Sequence, residues 1–376
     1  MIRILHITGG MKRAGAETLL MNLYRNINRD DFQFDFLYFT DEPCDYDQEI
    51  IDLGGRIYRI PPKSRNRVLR IVRRYLDYIK LIKGLNEHQI VHSHINLNGA
   101  FFLWLAKRYD KKIRVSHSHI SKGKKGVIPG IYRALTRNII LKSANIYMAC
   151  GEAAGEYLYP KVTNDKVIVF PNSIDISSFQ SYSSSRTKLH EELKLDSDKK
   201  IILQIGRFTY QKNFEFTIDF IEHLKKKQDN FHFVFLGTGP LEDKLKAKVT
   251  AKNLDQYVTF YGISSEIPAI MHSSDIFFMP SNLEGFPVVL VEAQACGLPC
   301  IISTNISSEV DMGLNLITFL DLNCGFDTWE SKLNEAFGKK SFAFDTIKAK
   351  MSEKNFNAAD SAIKLQNIYM QKLKND

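Results

Sequence analysis

Residues 275–303 read DIFFMPSNLEGFPVVLVEAQACGLPCIIS, and turn and stop signals divide the run into strand, helix and strand. The apolar segment DIFFMPS has strand length and ends in a turn. Pro287 then stands where proline suits the first helical position, and Gly297 followed by Pro299 stops the helix, so a helix is expected over 287–296. PCIIS supplies the next strand. A strand that continues through a helix into another strand pairs with it in parallel, so this stretch predicts an α/β fold with helical crossovers.

The same alternation extends in both directions. Upstream lie KIILQIGRF, NFEFTIDFIEHLKKK, FHFVFLGTG, LEDKLKAKVTAKN, VTFYG and EIPAIMHSS. An earlier series runs IRILHIT, AETLLMNLYRNI, FQFDFLYFT, a basic helix near 65–84, QIVHSHI, AFFLWLAKRY and IRVSHSHI. Two doubly wound, Rossmann-like domains in tandem are predicted, over 1–170 and 171–355. The polar stretch after Phe179 is the boundary region. In the tail 356–376, helical spacing at Ala362, Leu365, Ile368, Tyr369 and Leu373 predicts a closing helix. Open parallel sheets bind ligands outside the carboxyl ends of their strands, so function is sought in a cleft between two such sheets.

The 376 residues are 44% hydrophobic and 25% charged, which is ordinary for a globular protein of two domains. No apolar run reaches the roughly 18–20 residues of a membrane span. Five scattered cysteines, and an opening MIRILHITGG that reads directly as a strand, place the chain in a reducing cytoplasm. Cys296 and Cys300 have no partners at zinc spacing, so no metal is predicted from them. Residues 1–170 hold 28 Lys and Arg against 16 Asp and Glu, and the remainder 23 against 26, so the excess of +9 belongs to the first half.

Within SNLEGFPVVLVEAQACGLP, amides from Phe286 to Leu290 lack intrahelical acceptors and, with the helix dipole, form a phosphate or anion site. Gly285 and Pro287 let the backbone come close to such a ligand. Glu292 follows Val288 by four residues and so shares its face, where a carboxylate accepts hydrogen bonds from a ribose diol. Glu284 precedes the helix and is placed to meet hydroxyls of whatever the phosphate carries. The plainer alternative makes Glu284 a helix cap and Glu292 a solvated side chain.

In IGRFTYQKN, Arg207 and Lys212 leave the end of a strand five residues apart and would clamp a diphosphate. GGMKRAGAE is a glycine-rich loop before a helix near Ala16, yet Ala16 stands where a nucleotide-triphosphate loop needs Lys. GTGPLEDKL, with Gly237 and Gly239, is an incomplete dinucleotide fingerprint and is read as a tight turn. His92 with His94, and His117 with His119, alternate on strands, so each pair shares a face and His94 and His119 lie nearest the site. A zinc site there would have no acid or Cys in its motifs, so polar packing or substrate contact is the favoured reading.

Taken in order, GGMKRAGAE, IVHSH, VSHSHIS, VFPNSID, IGRFTYQKN, VFLGTGPLEDKL, VTFYG and PSNLEGFPVVLVEAQACGLPCIIS resemble glycosyltransferase family 4 over nearly the whole chain, most closely its bacterial capsule and exopolysaccharide branch. The E-x7-E element from Glu284 to Glu292 is the specific part. The resemblance implies the GT-B fold, with two Rossmann-like domains facing across a cleft and the C-terminal helix packing back towards the first. It implies retaining transfer from a nucleotide-diphosphate-sugar, taken as a UDP-sugar, with no metal or other cofactor.

By that resemblance Arg207 and Lys212 hold the diphosphate. Amides of Gly285, Phe286, Pro287–Val288 and Val289 hold phosphate and sugar, Glu292 the ribose and Glu284 sugar hydroxyls. The backbone at Gly262 and Ile263 receives the base, Gly15 approaches the donor phosphates, and His119 contacts the sugar near the reacting carbon. Ser173 and Ile120 depart from the family pattern, at a loop and beside His119. DYD (Asp45–Asp47) is similar to the acid-x-acid signature of metal-dependent sugar transfer, but sits in an acidic loop and is read as solvated.

KSRNRVLRIVRRYLDYIKLIK carries eight basic residues and one acid. Its expected apolar stripe is Val68, Val72, Tyr75, Ile79 and Ile82, with Arg70, Arg73, Asp77 and Lys80 opposite. It reads either as an ordinary surface helix or as a dock for anionic lipid headgroups, which suits a lipid-linked saccharide acceptor and a peripheral position on the membrane's inner face. SKGKKG, 121–126, would be a basic loop beside the acceptor. A nucleotide-sugar epimerase of the same architecture is the alternative activity. A nucleic-acid partner is disfavoured, because no aromatic-basic stacking motif occurs and the phosphate-site elements fall in the acidic half.

Overall fold

Strands rich in Ile, Val and Phe alternate with amphipathic helices, and each half of the chain closes one parallel sheet. The computed structural model describes residues 1–62, 66–120, 123, 126–180, 187–337 and 342–375, without the side chains of Arg67 and Asn164. Most of the basic loop 121–126, residues 63–65 ahead of the basic helix, and 181–186 of the expected boundary stretch lie outside the described residues.

The first sheet contains β1 (Ile2–Ile7), β2 (Phe32–Tyr38), β3 (Ile57–Arg59), β4 (His88–Ser93), β5 (Ile113–Ser118), β6 (Ile146–Ala149) and β7 (Val167–Val169), in the order β3-β2-β1-β4-β5-β6-β7. The second contains β8 (Lys200–Ile205), β9 (Phe231–Leu236), β10 (Val258–Gly262), β11 (Ile276–Met279), β12 (Cys300–Ser303) and β13 (Ile317–Leu320), in the order β10-β9-β8-β11-β12-β13. Strand pairing is parallel, as between β1 and β4 and between β8 and β11. Those two pairs are also where each strand order reverses, the position at which doubly wound sheets open a crevice for ligands.

Both faces of each sheet are buried. In the second, Ile201 and Leu203 enter one core and Ile202 the other, as the two-residue repeat of a strand requires. In the first, Ile4 and Leu5 divide in the same way. The chain separates into two compact units, Met1–Ser173 with Ala358–Asp376, and Ile174–Asn357. The C-terminal helix Ala358–Asn375 thus belongs to the first unit, where Ala362, Leu365 and Tyr369 join the core that contains Phe32 and Phe34.

The basic helix spans Arg67–Gly84, and the Asn66 side chain caps it by accepting from the amides of Val68 and Leu69. Its apolar stripe differs from the one expected. Tyr78 and Ile82 are buried and Tyr75 and Ile79 half-buried, whereas Val68 and Val72 are exposed together with Leu69, Ile71 and Leu76. This helix carries apolar residues on two arcs, and spacing alone does not distinguish the arc that packs from the arc that faces outward.

Candidate functional site

Loops from the two central strands of the second sheet form the best-defined candidate site. After β8 the chain turns through Gly206 and Arg207 into a short helical turn, Tyr210–Lys212, and Asn213 adopts a left-handed conformation at φ 55° before the helix Phe214–Lys225 begins. After β11 the chain runs through Asn282 to Gly285 into the helix Val288–Ala295. Three hydrogen bonds join these loops: Asn282 N–H to Gln211 O (2.8 Å), Asn282 Nδ2 to Tyr210 O (2.7 Å) and Asn213 Nδ2 to Pro280 O (3.0 Å). The Lys212 carbonyl accepts from Gln204 Nε2 at 2.9 Å.

These contacts hold Lys212 Nζ 2.8 Å from Glu284 Oε1, with both side chains largely buried. Among the described residues no hydrogen bond of regular geometry reaches that oxygen, so the attraction is that of an ion pair. Gly206 is needed beneath it: a Cβ there would lie 2.9 Å from Lys212 Cδ and Cε. The turn containing Gly237 and Gly239 supports the same loop, because a Cβ on Gly237 (φ 142°) would meet the Gly206 carbonyl at 2.1 Å and one on Gly239 the Phe208 backbone at 2.6 Å. The incomplete fingerprint is therefore a structural turn, as expected, and its glycines let two loops approach closely. Arg207 is exposed on the same loop.

The helix after Glu284 starts one residue later than expected. Pro287 is its N-cap, in extended conformation (ψ 108°), and no side chain caps it. Glu284 is thus not the cap of this helix. The amides of Gly285, Phe286, Val288 and Val289 have no backbone acceptor among the described residues, while that of Leu290 donates to Pro287 O at 3.0 Å and leaves the expected donor group. Several unpaired N–H groups at a helix start, beside a lysine, make a binding place for an anion.

Glu292, in the next turn, is only partly accessible, and burial raises its carboxyl to about 7. A solvated side chain would not be shifted in this way, so that alternative also fails. No side-chain hydrogen bond to this carboxyl occurs among the described residues, which leaves it free for the donors of a ligand. At the end of β10, Gly262 has φ 81° and gives its carbonyl to Gly237 N–H at 2.7 Å, and Ile263 is exposed.

The first sheet presents a different surface. Gly15 opens the helix Gly15–Asn26 and is exposed. On the facing strands, His92 and His94 of β4 and its end, and His117 and His119 of β5 and its end, share one sheet face, as strand alternation requires. His6 of β1 joins them, a residue not singled out by its motif. Its register opposite His92 is what places it there. His6 Nδ1 lies 3.1 Å from His94 Nε2, His94 Nδ1 lies 3.0 Å from His119 Nε2, and His92 Nδ1 lies 2.6 Å from the Tyr369 hydroxyl. Desolvation lowers all of them, His6 to about 3 and His119 to about 4, so this layer is neutral at physiological pH.

The DYD acids are not simply solvated. Asp45 Oδ2 accepts from Arg13 N–H at 2.8 Å, and Asp47, half-buried, pairs with Arg59 and accepts from Cys44 N–H at 2.8 Å. Asp45 ties the loop after β2 to the glycine-rich loop, and Asp47 ties it to β3.

Known proteins share this two-unit architecture. The family described as Glycosyltransferase Family 4 matches residues 13–178, and that described as Glycosyl transferases group 1 matches 185–312. The chain is 35% identical to EpsF of Bacillus subtilis (strain 168), a protein assigned as a glycosyltransferase, over 98% of this chain and 96% of that one. It is 26% identical over 99% of both chains to CapH of Staphylococcus aureus, a capsular polysaccharide biosynthesis glycosyltransferase. Among solved structures, Anabaena Alr3699/HepE in complex with UDP superposes with a TM-score of 0.79 at 16% identity, covering 99% of this chain and all of that one, which establishes the two Rossmann-like units of the GT-B fold. With both halves of the chain matched by glycosyltransferase families and a relative 35% identical over nearly its whole length, the chain belongs to glycosyltransferase family 4.

Proposed function

We propose that this glycosyltransferase moves a sugar, with retention, from a UDP-sugar to a lipid-linked saccharide during capsule or exopolysaccharide synthesis. The carrying observation is the ion pair of Lys212 with Glu284 beside the unpaired amides of Gly285, Phe286, Val288 and Val289. An incoming diphosphate would draw the ammonium and the amides, and Arg207 would add its planar fork. Glu284, released from Lys212, would then accept hydrogen bonds from sugar hydroxyls. Glu292 would hold the ribose diol, and Gly262 and Ile263 would receive the base, while Gly15 and His119 keep the roles that the family resemblance implies for them.

Stabilisation of the leaving diphosphate by these preorganised donors supplies the catalysis, and its phosphate oxygen takes the acceptor proton. No divalent ion is needed for that step. The EpsF, CapH and HepE likenesses support the donor class and the setting.

A lipid-linked acceptor agrees with the outer surface of the first unit. Val68, Leu69, Val72 and Leu76 of the basic helix are exposed. So are Phe101 and Trp104 of the helix Ala100–Arg108, which packs against it, and Val127, Ile128, Ile131 and Leu135 of the helix Val127–Ser143. Apolar side chains among Arg and Lys are the composition that inserts at an anionic membrane interface.

The deciding experiment screens UDP-, GDP- and ADP-sugars by thermal shift, then assays transfer to lipid-linked acceptors in EDTA. Stabilisation by UDP-sugars and undiminished transfer in EDTA are expected. Conversion of a UDP-sugar without any acceptor would instead establish an epimerase.

A further inference from the structure

Three imidazoles at the end of the first sheet meet the requirements of a metal site that the transferase reading does not use. His94, His117 and His119 each offer a ring nitrogen, and these nitrogens lie within 4.8 Å of one another. His94 Nδ1 and His119 Nε2 are 3.0 Å apart. Two nitrogens bound at about 2.0–2.1 Å in a tetrahedron stand about 3.3 Å apart, so an ion replacing the proton between them needs only a small opening of this pair.

His117 is buried, and among the described residues neither ring nitrogen makes a hydrogen bond of regular geometry, although the Phe170 backbone is near enough to accept weakly from one of them. A buried imidazole with an unused nitrogen aimed among two others is the observation that points to a ligand. The surrounding groups also suit coordination. His6 Nδ1 occupies His94 Nε2 and leaves Nδ1 for a metal, and the Phe170 carbonyl stands near His117 to take its remaining N–H.

Three neutral histidines without acid or Cys are the donor set of Zn²⁺ and its neighbours in the first transition row, with a fourth position open to water. The overlapping group His6, His92 and His94 is wholly enclosed, whereas His119 keeps partial exposure and gives the ion an entry. We propose that His94, His117 and His119 bind one divalent transition-metal ion of the Zn²⁺ class, through His94 Nδ1, His119 Nε2 and one nitrogen of His117.

One consequence rests on the transferase reading: occupancy engages the His119 ring, the side chain proposed to contact the donor sugar, so the ion inhibits transfer. Binding itself does not depend on that reading.

The test titrates the tag-free full chain, stripped of metal, with Co²⁺ as the spectroscopic probe and then with Zn²⁺. One Co²⁺ per chain is expected, with the intense visible bands of a four-coordinate, nitrogen-ligated ion, abolished by one equivalent of Zn²⁺. His117→Ala is expected to weaken binding by more than the about 10–100-fold typical of losing an outer-shell partner. His223→Ala removes the separate surface group of His223, Asp327 and Glu330 and is expected to leave the spectrum unchanged.

Absence of stoichiometric binding, a weak six-coordinate spectrum, or loss of the bands in His223→Ala overturns the site. If His117→Ala does not fold, the wild-type spectrum and the His223→Ala control still decide. Zn²⁺ that binds at this site without reducing transfer retains the site and removes His119 from the donor contact.

Discussion

The central crossings of the two sheets have the same topology and opposite chemistry. At β8 and β11 the loops bring a lysine and a carboxylate together beside unpaired amides, with Glu292 one turn into the helix that follows. At β1 and β4 the same position in the fold is lined by five imidazoles kept neutral by burial. A doubly wound sheet thus fixes where a ligand site forms, while the side chains at the strand ends set the charge it accepts. The second unit presents an ion pair beside unpaired backbone donors. The first presents neutral imidazole nitrogens.

The largest effect is expected at the ion pair. Lys212→Ala should lower transfer by about 100- to 1000-fold, the scale for losing one preorganised donor to a developing anion. It also strands Glu284, largely buried, without its partner, at a cost of about 1–3 kcal/mol. Adding Glu284→Gln should restore the melting temperature but not the transfer. Both quantities can be followed in one series, by steady-state assay and thermal denaturation. Recovery of transfer in the double variant would show that Lys212 serves only to neutralise Glu284, and the contrast between the two crossings would then lose its catalytic meaning.

A smaller and oppositely signed pair of effects is expected at Glu292. Its carboxyl titrates near 7 in the folded protein against an ordinary value of 4.5, so the folded state holds more protons between those values and stability falls as pH rises through that window. Glu292→Gln, which is never charged, should therefore be more stable than the wild type at pH 8, with the difference gone below pH 4.5. Ribose hydroxyls donate to the ionised form. Wild-type UDP affinity should accordingly weaken as pH drops below about 7 more steeply than in Glu292→Gln, where only the ligand phosphate titrates, and at pH 8 the variant should bind about 10- to 100-fold more weakly, the range for hydrogen bonds to a charged group. Calorimetric titration at pH 6 and 8 measures this. Equal affinity in the two proteins would remove the ribose role.

The features legible in the sequence were those carried by local signals. Alternating strand and helix periods gave both sheets, and the prolines and glycines around 280–299 located the helix of the site to within a residue at each end. Unread were the relations that depend on register and on distance along the chain. Lys212 and Glu284 are separated by 71 intervening residues and meet because β8 pairs with β11. His6 joins the histidine layer through the pairing of β1 with β4. The glycines of the turn after β9 serve the loop after β8, where no local motif could relate them. On the basic helix the pattern was visible but doubly apolar, and only packing selects Tyr78 and Ile82 over Val68 and Val72.

The smallest effect tests whether the two crossings are independent. Tyr369 reaches from the C-terminal helix to His92 with a 2.6 Å hydrogen bond, and both side chains are buried. Tyr369→Phe keeps the ring in its core, removes the hydroxyl and leaves His92 Nδ1 unpaired, which should cost about 1–3 kcal/mol. In a unit of this size that lowers the melting temperature by about 2–4 °C per kcal/mol. UDP affinity should not change, because the nucleotide contacts proposed at Arg207, Lys212, Gly262, Ile263 and Glu292 all lie in the second unit. A Tyr369→Phe protein that melts earlier and binds UDP normally separates the histidine layer from the nucleotide site. One that loses UDP affinity to the extent of Glu292→Gln shows instead that the histidine layer and nucleotide binding are coupled.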